Sequence, residues 1–278
     1  MIEITDLGFS FGRKAVLKHI TMRLEEGRIY GLLGENGVGK TTLLTLLCGL
    51  KCPTEGSVRV DGQEPWRRRP SLLQDICFLP DDVPAPSMKA AQWAEGRGRF
   101  YPNYDPDAFA AIMREFETDP EAKMNRMSAG QLKKTHIAFS LAARTKYLLL
   151  DEPSNGLDIP AKAQLRSAMM KHTREDSVIV ISTHQVRDLE NIIDPIIILD
   201  RQEVLLNASA EEITRRLYFD YGNGLHPDSF YSEQLPGGFI QVRPNTDGQE
   251  SKLDIEALFN AVLRNKESIH NLFHQPLQ

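Results

Sequence analysis

Short apolar runs recur along the first 200 residues at the length of buried β-strands. Residues 29–33, 147–150, 178–181 and 196–199 contain almost no polar side chain, which is typical of strands covered on both faces of a parallel sheet. Helical patterns separate these runs, and residues 41–50 form an apolar helix with a stop signal at Gly49 and Pro53. The alternation of strands and helices predicts an α/β fold.

The segment between the first and second of these runs has a different pattern. Residues 80–106 are rich in proline, glycine and charge, and Asp105 can cap a helix that has Pro106 at its first position. Apolar residues then follow at helical spacing and form one face. A second helix is predicted from about residue 128 to 144. We therefore predict a helical insertion at about 82–144. The apolar face consists of Phe109, Ile112, Met113 and Phe116.

The signals weaken after residue 206. Residues 209–212 have the pattern of a capping box for a short helix, and 239–242 have the pattern of a strand. Residues 218–236 contain many glycines, prolines and aromatics, which predicts irregular structure. Another amphipathic helix is predicted around Ile255, Leu258, Phe259 and Val262. We predict one domain at 1–208 and a small C-terminal appendage at 209–278.

Composition narrows the possible functions of the 278 residues. Lys and Arg number 33 and Asp and Glu number 38, so the net charge is −5, and we expect no nucleic-acid partner bound through bulk charge. Three cysteines do not make a disulfide scaffold and favour a reducing compartment. No run approaches the ~18 apolar residues of a membrane span, and residues 1–6 have the pattern of a strand rather than a signal peptide. We expect any role at a membrane to be peripheral.

Residues 34–41, GENGVGKT, fit the pattern G-x-x-x-x-G-K-[ST] between a predicted strand and a predicted helix. Such a loop closes its backbone N–H groups around phosphate oxygens at a helix N-terminus. Lys40 can then reach the β- and γ-phosphates, and the Thr41 hydroxyl can bind Mg²⁺. The alternative, a chance glycine-rich turn, is disfavoured by the complete pattern in this position. The predicted nucleotide-binding residues here are Gly34, Glu35, Asn36, Gly37, Val38, Gly39, Lys40, Thr41 and Thr42.

Two carboxylates follow the apolar run at 147–150. Open α/β sheets place their sites at the carboxyl ends of strands, which is where Asp151 and Glu152 lie. Asp151 is predicted to hold Mg²⁺ through water, and Glu152 to polarise the water that attacks the γ-phosphate. An ordinary acidic turn is the alternative for this pair taken alone. Together with the phosphate loop, the pair predicts a nucleoside triphosphatase.

With these motifs, the chain resembles the nucleotide-binding subunits of ABC (ATP-binding cassette) transporters. Residues 127–131, MSAGQ, are similar to the family's signature Leu-Ser-Gly-Gly-Gln with two changes, and residues 154–158, SNGLD, match the loop that crosses the dimer interface. The resemblance implies that the signature binds the γ-phosphate of ATP held by the opposite subunit, that His184 contacts the γ-phosphate, and that Phe11 stacks on adenine. The implied nucleotide-binding residues are Phe11, Ser128, Ala129, Gly130, Gln131 and Asp158.

The resemblance covers about the first 205 residues and implies a P-loop NTPase of the ABC cassette type. Its expected fold has a mostly parallel central sheet, an N-terminal antiparallel β part and the helical insertion. Its expected ligands are ATP and Mg²⁺. Its expected partners are a transmembrane permease subunit and a second ATPase subunit, identical or similar, in a head-to-tail dimer. The expected location is cytoplasmic, peripheral on the inner face of the cell membrane.

One position departs from the family. The family has Gln after the strand that precedes the insertion, where its amide reaches Mg²⁺ and the attacking water, and this chain has Asp81 there, or Asp82 if the register differs by one. Aspartate binds Mg²⁺ but adds negative charge near the γ-phosphate. We predict a catalytic or metal-binding role for Asp81 beside Glu152 and His184.

Residues 100–105 and 254–259 are similar to segments of bacterial ABC-2-type exporter subunits, which favours export. A soluble ABC-type ATPase with a non-transport role stays open as an alternative. A P-loop kinase is the other alternative, and the signature and His184 argue against it.

Overall fold

The computed structural model describes residues 1–274 and arranges them in three β-sheets with surrounding helices. The strands in chain order are β1 (Ile2–Phe11), β2 (Lys14–Leu24), β3 (Arg28–Leu33), β4 (Glu55–Val60), β5 (Ile76–Leu79), β6 (Tyr147–Asp151), β7 (Val178–Thr183), β8 (Ile196–Asp200), β9 (Glu203–Ala208), β10 (Leu217–Gly222), β11 (Tyr231–Leu235) and β12 (Gly238–Pro244). The helices are α1 (Lys40–Leu47), α2 (Pro70–Leu73), α3 (Ala90–Gly98), α4 (Pro106–Glu115), α5 (Ala129–Ala142), α6 (Ile159–His172), α7 (Ala210–Arg216), α8 (Ile255–Arg264) and α9 (Lys266–His274).

The central sheet has the strand order β5-β6-β7-β3-β8-β9 and is parallel except for β9, which runs antiparallel to β8. Its middle strands are the predicted apolar runs, and every residue of β6, β7 and β8 is buried. Because β7 pairs with both β6 and β3, the carboxyl ends of these three strands meet at one edge of the sheet. The segments that follow them carry the phosphate loop, the Asp151–Glu152 pair and His184.

The N-terminal antiparallel part has the order β2-β1-β4. Inward-facing apolar residues such as Ile4 and Val58 pair across it, and they pack in a cluster with α1 and one face of the central sheet. This arrangement fixes β2 beside the phosphate loop, since Leu17 lies close to Gly39.

The insertion between β5 and β6 contains α3, α4 and α5. Asp105 caps α4 as predicted, and its side chain accepts a hydrogen bond of 2.9 Å from the backbone N–H of Ala108. The predicted apolar face of α4 is fully buried. Ser128 caps α5 in a reciprocal capping box with Gln131, which sets the start of this helix at the signature segment.

The C-terminal residues form more regular structure than their composition indicates. The prediction of irregular structure at 218–236 is wrong, because β10 and β11 pair on either side of β12 in a third sheet. Buried Leu217 and Phe219 alternate with half-buried residues, a period-2 pattern obscured by the neighbouring glycines. The capped α7 and the amphipathic α8 are present as predicted, and the pattern analysis missed β9 and α9.

A single apolar cluster joins the central sheet, the insertion and the C-terminal sheet. It contains Leu150 of β6 and Leu258 of α8, both fully buried. The predicted boundary at residue 208 coincides with the end of β9, and the division into two domains stays a prediction. Over residues 1–274, no helix has both the length and the apolarity required to cross a bilayer.

Candidate functional site

The phosphate loop lies between β3 and α1 and needs glycine at two points for different reasons. A Cβ on Gly34 would lie 2.5 Å from the carbonyl oxygen of Leu199, so no side chain fits. Gly39 caps α1 with a φ of 116°, in the left-handed region that favours glycine. The loop therefore directs the first N–H groups of α1 toward the space above it, where the helix dipole favours an anion.

Lys40 folds back across this loop. Its Nζ donates hydrogen bonds to the carbonyl oxygens of Gly34 (2.8 Å) and Glu35 (3.2 Å), and it lies 3.4 Å from Oε1 of Glu152. The Lys40 side chain is only 6% exposed. A buried cation is thus fixed at the mouth of the loop, where phosphate oxygens would approach.

Asp151 is fixed by two hydroxyl groups at the end of β6. Thr41 Oγ1 donates to its Oδ2 at 2.7 Å, and Ser182 Oγ donates to its Oδ1. Asp151 is 1% exposed, and it lies directly opposite Ser182 in the β6–β7 register. The hydroxyl and carboxylate oxygens are the hard donors that Mg²⁺ prefers, so Thr41 and Asp151 fit the predicted metal role.

Glu152 has a left-handed backbone, with a φ of 46°, which is uncommon for a non-glycine residue and characteristic of functional sites. Its carboxylate is 9% exposed, and the Oε1 atom accepts no hydrogen bond from the described residues. His184 Nδ1 lies 2.9 Å from this oxygen, and the His184 backbone N–H donates to Oε2 at 3.3 Å. The carboxylate therefore has a buried oxygen available for a further donor such as water.

Asp81 is the carboxylate after β5 that enters the site, and neighbouring Asp82 is not among the residues lining the cavity. Lys133 Nζ donates to the Asp81 carbonyl oxygen (2.8 Å) and contacts its Oδ1 (3.3 Å), and Asn155 Nδ2 donates to Oδ1 (3.2 Å). Burial lowers the pKa of the Lys133 amine, and Asp81, Asp151 and Glu152 act in the opposite direction. Asp81 thus has two side-chain partners that the sequence analysis did not identify.

A cavity of about 310 Å³ brings together Phe11, part of the phosphate loop, Asp81 and Glu152. Phe11 lies at one end and is 52% exposed, with its ring edge-on to Phe9 at a centroid distance of 4.9 Å. Lys51 Nζ lies 4.7 Å from the Phe11 ring centroid. An exposed aromatic ring is available at this end for stacking. The cavity is lined by Phe11, Lys14, Val16, Asn36, Gly37, Gly39, Lys40, Thr41, Thr42, Asp81 and Glu152.

The signature segment lines a different cavity of about 440 Å³, together with Asp158. Ser128 and Gln131 use their side chains in the cap of α5, and Asp158 caps α6 by accepting from the Ala161 N–H at 2.9 Å. Ala129 is the first residue of α5 and is exposed. Within one chain, therefore, the predicted nucleotide-binding residues form two separate groups.

Sequence reasoning missed Ser182 and Lys133, and it assigned Asn155 only to the loop expected at the dimer interface and not to a contact with Asp81. Ser182 and Thr183 end an apolar run as buried polar residues at the carboxyl end of β7, which was a readable signal. The contacts of Lys133 and Asn155 with Asp81 carried no such signal, because they join residues 52 and 74 positions apart in the chain.

Comparison with known proteins decides the family. The family model described as ABC transporter matches residues 17–155, which is half of the chain. The chain belongs to the ABC transporter family. It is 31% identical over 194 residues to the ABC transporter ATP-binding protein YtrB of Bacillus subtilis, a match that covers 69% of this chain and 66% of YtrB.

Two further comparisons agree. The lantibiotic transport ATP-binding protein SrtF of Streptococcus pyogenes is 29% identical over 201 residues, covering 70% of this chain and 84% of SrtF. A solved structure titled as an ATP binding subunit of an ABC transporter has a TM-score of 0.71 at 23% identity, covering 77% of this chain and 92% of that one. The predicted cassette fold is confirmed, and so is the prediction of an ATP-binding, ATP-hydrolysing subunit of a transporter.

Proposed function

We propose that this ABC subunit hydrolyses ATP to power export through a separate transmembrane subunit. The observation that carries the proposal is the convergence of Lys40, Asp151, Glu152 and His184 at one edge of the central sheet. The four groups follow the ends of three neighbouring strands, β3, β6 and β7, and each has a partner that fixes its direction. The arrangement supports in-line attack of water on a γ-phosphate above the loop.

The roles follow from the contacts. Lys40 and the N–H groups of α1 bind the β- and γ-phosphates, and Thr41 with Asp151 would hold Mg²⁺. When bound, Mg²⁺ would neutralise charge on the phosphate oxygens. The buried Oε1 of Glu152 accepts the proton of the attacking water, and His184 contacts the γ-phosphate from the β7 side.

Two subunits are needed to complete each site. The signature cavity is separate from the phosphate-loop cavity, so Ser128, Gly130 and Gln131 do not reach ATP bound to their own chain. A head-to-tail dimer, with an identical or a similar subunit, would bring the signature of one chain to the ATP of the other. The dimer would be cytoplasmic and held at the inner face of the membrane by the transmembrane subunit.

Export is supported by residues 100–105, similar to segments of ABC-2-type exporters, and by the relative named for lantibiotic transport. Affinity purification of the tagged chain from detergent-solubilised membranes, with co-purifying multispan membrane proteins identified by mass spectrometry, tests the coupling. The expected result is a complex isolated from membranes whose ATPase rate differs from that of the subunit alone. An ATPase that forms no such complex and acts entirely in solution would favour the non-transport alternative.

Gly130 provides the sharpest test of a composite site, in which the signature of one subunit completes the ATP site of the other. A Cβ on Gly130 meets nothing closer than the Gly156 carbonyl at 3.7 Å, so the Cβ of Gly130→Trp causes no clash within its own chain. We expect this variant to bind ATP as a monomer with normal affinity, to form no ATP-dependent dimer, and to lose turnover.

Gly96→Trp is the matched control, since Gly96 is an exposed residue of α3 with nothing within 4 Å of its Cβ position. It should dimerise and hydrolyse ATP normally. Loss of ATP binding by monomeric Gly130→Trp would mean that the signature belongs to the local site and would refute the composite arrangement.

A further inference from the structure

Lys133 is a buried cation that no motif explains. It lies on the second turn of α5, its side chain is 5% exposed, and its amine points into the group of carboxylates around the ATP cavity. It donates to the backbone carbonyl of Asp81 and lies 3.3 Å from the Asp81 carboxylate. Asp151 and Glu152 also act on it electrostatically. An unpaired lysine is rarely buried, so its position calls for a charged partner.

Asp81 is that partner, and its carboxylate lies at the cavity proposed to bind ATP. Its carboxylate is 47% exposed and lines the same cavity as Lys40, Thr41 and Glu152. An uncompensated negative charge there would repel the triphosphate. The amide of Asn155 also holds the Asp81 carboxylate, but it supplies no charge.

The same face of α5 makes a second contact with the segment that follows β5. His136, three residues beyond Lys133, lies with Nε2 2.9 Å from the Pro84 carbonyl oxygen. Lys133 and His136 are one helical turn apart and bind residues 81 and 84, so the segment after β5 is fixed to α5 at two points. The direction of the Asp81 carboxylate is therefore set by the helix that begins with the signature.

We propose that Lys133 is a positioning residue that neutralises Asp81 and fixes its direction, and thereby allows the ATP cavity to accept a triphosphate next to a carboxylate. This inference rests on the proposed nucleotide site. Lys133 touches neither substrate nor reacting atoms and acts through Asp81.

Two variants, Lys133→Met alone and Lys133→Met combined with Asp81→Asn, separate this electrostatic role from a structural one. Lys133→Met keeps the length of the side chain and leaves the Asp81 charge uncompensated. We expect it to weaken Mg²⁺-free ATP binding at least about tenfold, and ADP binding less, because the γ-phosphate adds charge next to Asp81. Asp81→Asn in the same chain should restore ATP affinity to within about threefold of the wild type, as expected when two residues act through one contact. Omitting Mg²⁺ removes any role of Asp81 as a metal ligand from the comparison.

Lys89→Met is the matched control, since Lys89 forms an ion pair of 2.8 Å with Glu121 at the surface and does not line the ATP cavity. It should leave ATP affinity unchanged. Lys133→Arg keeps the charge and should retain ATP affinity, which provides a second variant if Lys133→Met does not fold. Unchanged ATP affinity in Lys133→Met, or a double variant as weak as the single one, would overturn the proposal. Failure of the wild type to bind ATP would instead overturn the proposed function.

Discussion

Lys40 supplies the one buried side-chain cation that the phosphate loop carries itself. Its amine is held by two loop carbonyls and by the contact with Glu152, so it is already positioned before a ligand arrives. Lys40→Ala should weaken ATP binding by about ten- to a hundredfold, because a hydrogen bond to a charged group contributes about 1.5–3 kcal/mol. Equilibrium titration with ATP measures the loss.

The control for this prediction is Lys171→Ala, which removes a lysine that is 57% exposed on α6. It should bind ATP like the wild type. Equal affinities for Lys40→Ala and the control would show that the phosphates bind elsewhere.

For single residues, the sequence predicts a role in the site when the residues that form the site with them are close along the chain. Gly39, Lys40 and Thr41 follow from one eight-residue pattern, because strand, loop and helix are contiguous. Ser182 and Lys133 lie 31 and 52 residues from the aspartates that they contact. Only the strand order and the packing of the insertion bring these pairs together, so a local pattern could not predict them.

At the scale of elements, α5 connects the signature to the segment after β5, and His136 makes that connection dependent on pH. Burial lowers the pKa of His136 from 6.5 to about 4. The folded protein therefore keeps His136 neutral at a pH where the unfolded chain takes up a proton. Its contribution to stability is present above pH 6.5 and is lost as the pH falls from 6.5 toward 4.

His136→Gln removes the titrating imidazole, so the difference in unfolding free energy between the wild type and the variant measures the contribution of His136. Between pH 8 and pH 5, the wild type should lose about 2 kcal/mol of unfolding free energy relative to the variant, as expected for 1.5 pH units below the unfolded pKa. Urea unfolding at each pH gives the two curves. A difference that stays constant over this range would mean that His136 titrates normally.

His19→Gln is the control with the opposite sign. Asp6 hydrogen-bonds to the exposed His19 and raises its pKa, so any stabilisation is present at low pH and decreases as the pH rises.

Most core elements were predictable because their apolar periodicity is strong. The runs at β3, β6, β7 and β8 are buried on both faces, and capping residues mark the starts of α4 and α7. By contrast, β11 has one buried residue among five and pairs with a single neighbour. An edge strand of this kind is specified mainly by backbone pairing with β12, which leaves little hydrophobic pattern in the sequence.

At the scale of the whole molecule, the residues predicted to bind ATP lie in two separate cavities of one chain, so one cavity holds only part of a proposed ATP site. The phosphate-loop cavity contains Glu152, the proposed catalytic carboxylate, and the signature cavity contains the residues expected to close over ATP. Motif order along the chain predicted both groups. The resemblance implied, and the separation of the two cavities supports, the need for a second subunit. We therefore expect ATP to join two chains before Glu152 acts.

Turnover and dimer formation by Glu152→Gln test this central claim most directly. The substitution keeps the size of the side chain and removes its basicity and negative charge. We expect it to bind ATP, to hydrolyse it at least ~100-fold more slowly, and to accumulate as a dimer with ATP and Mg²⁺. An ATPase assay with size-exclusion chromatography and light scattering measures both properties. Asp81→Asn is the comparison, and it should alter Mg²⁺ dependence or stimulation by the membrane subunit more than basal turnover. Near-normal turnover by Glu152→Gln, with complete loss in Asp81→Asn, would contradict the account and make Asp81 the general base.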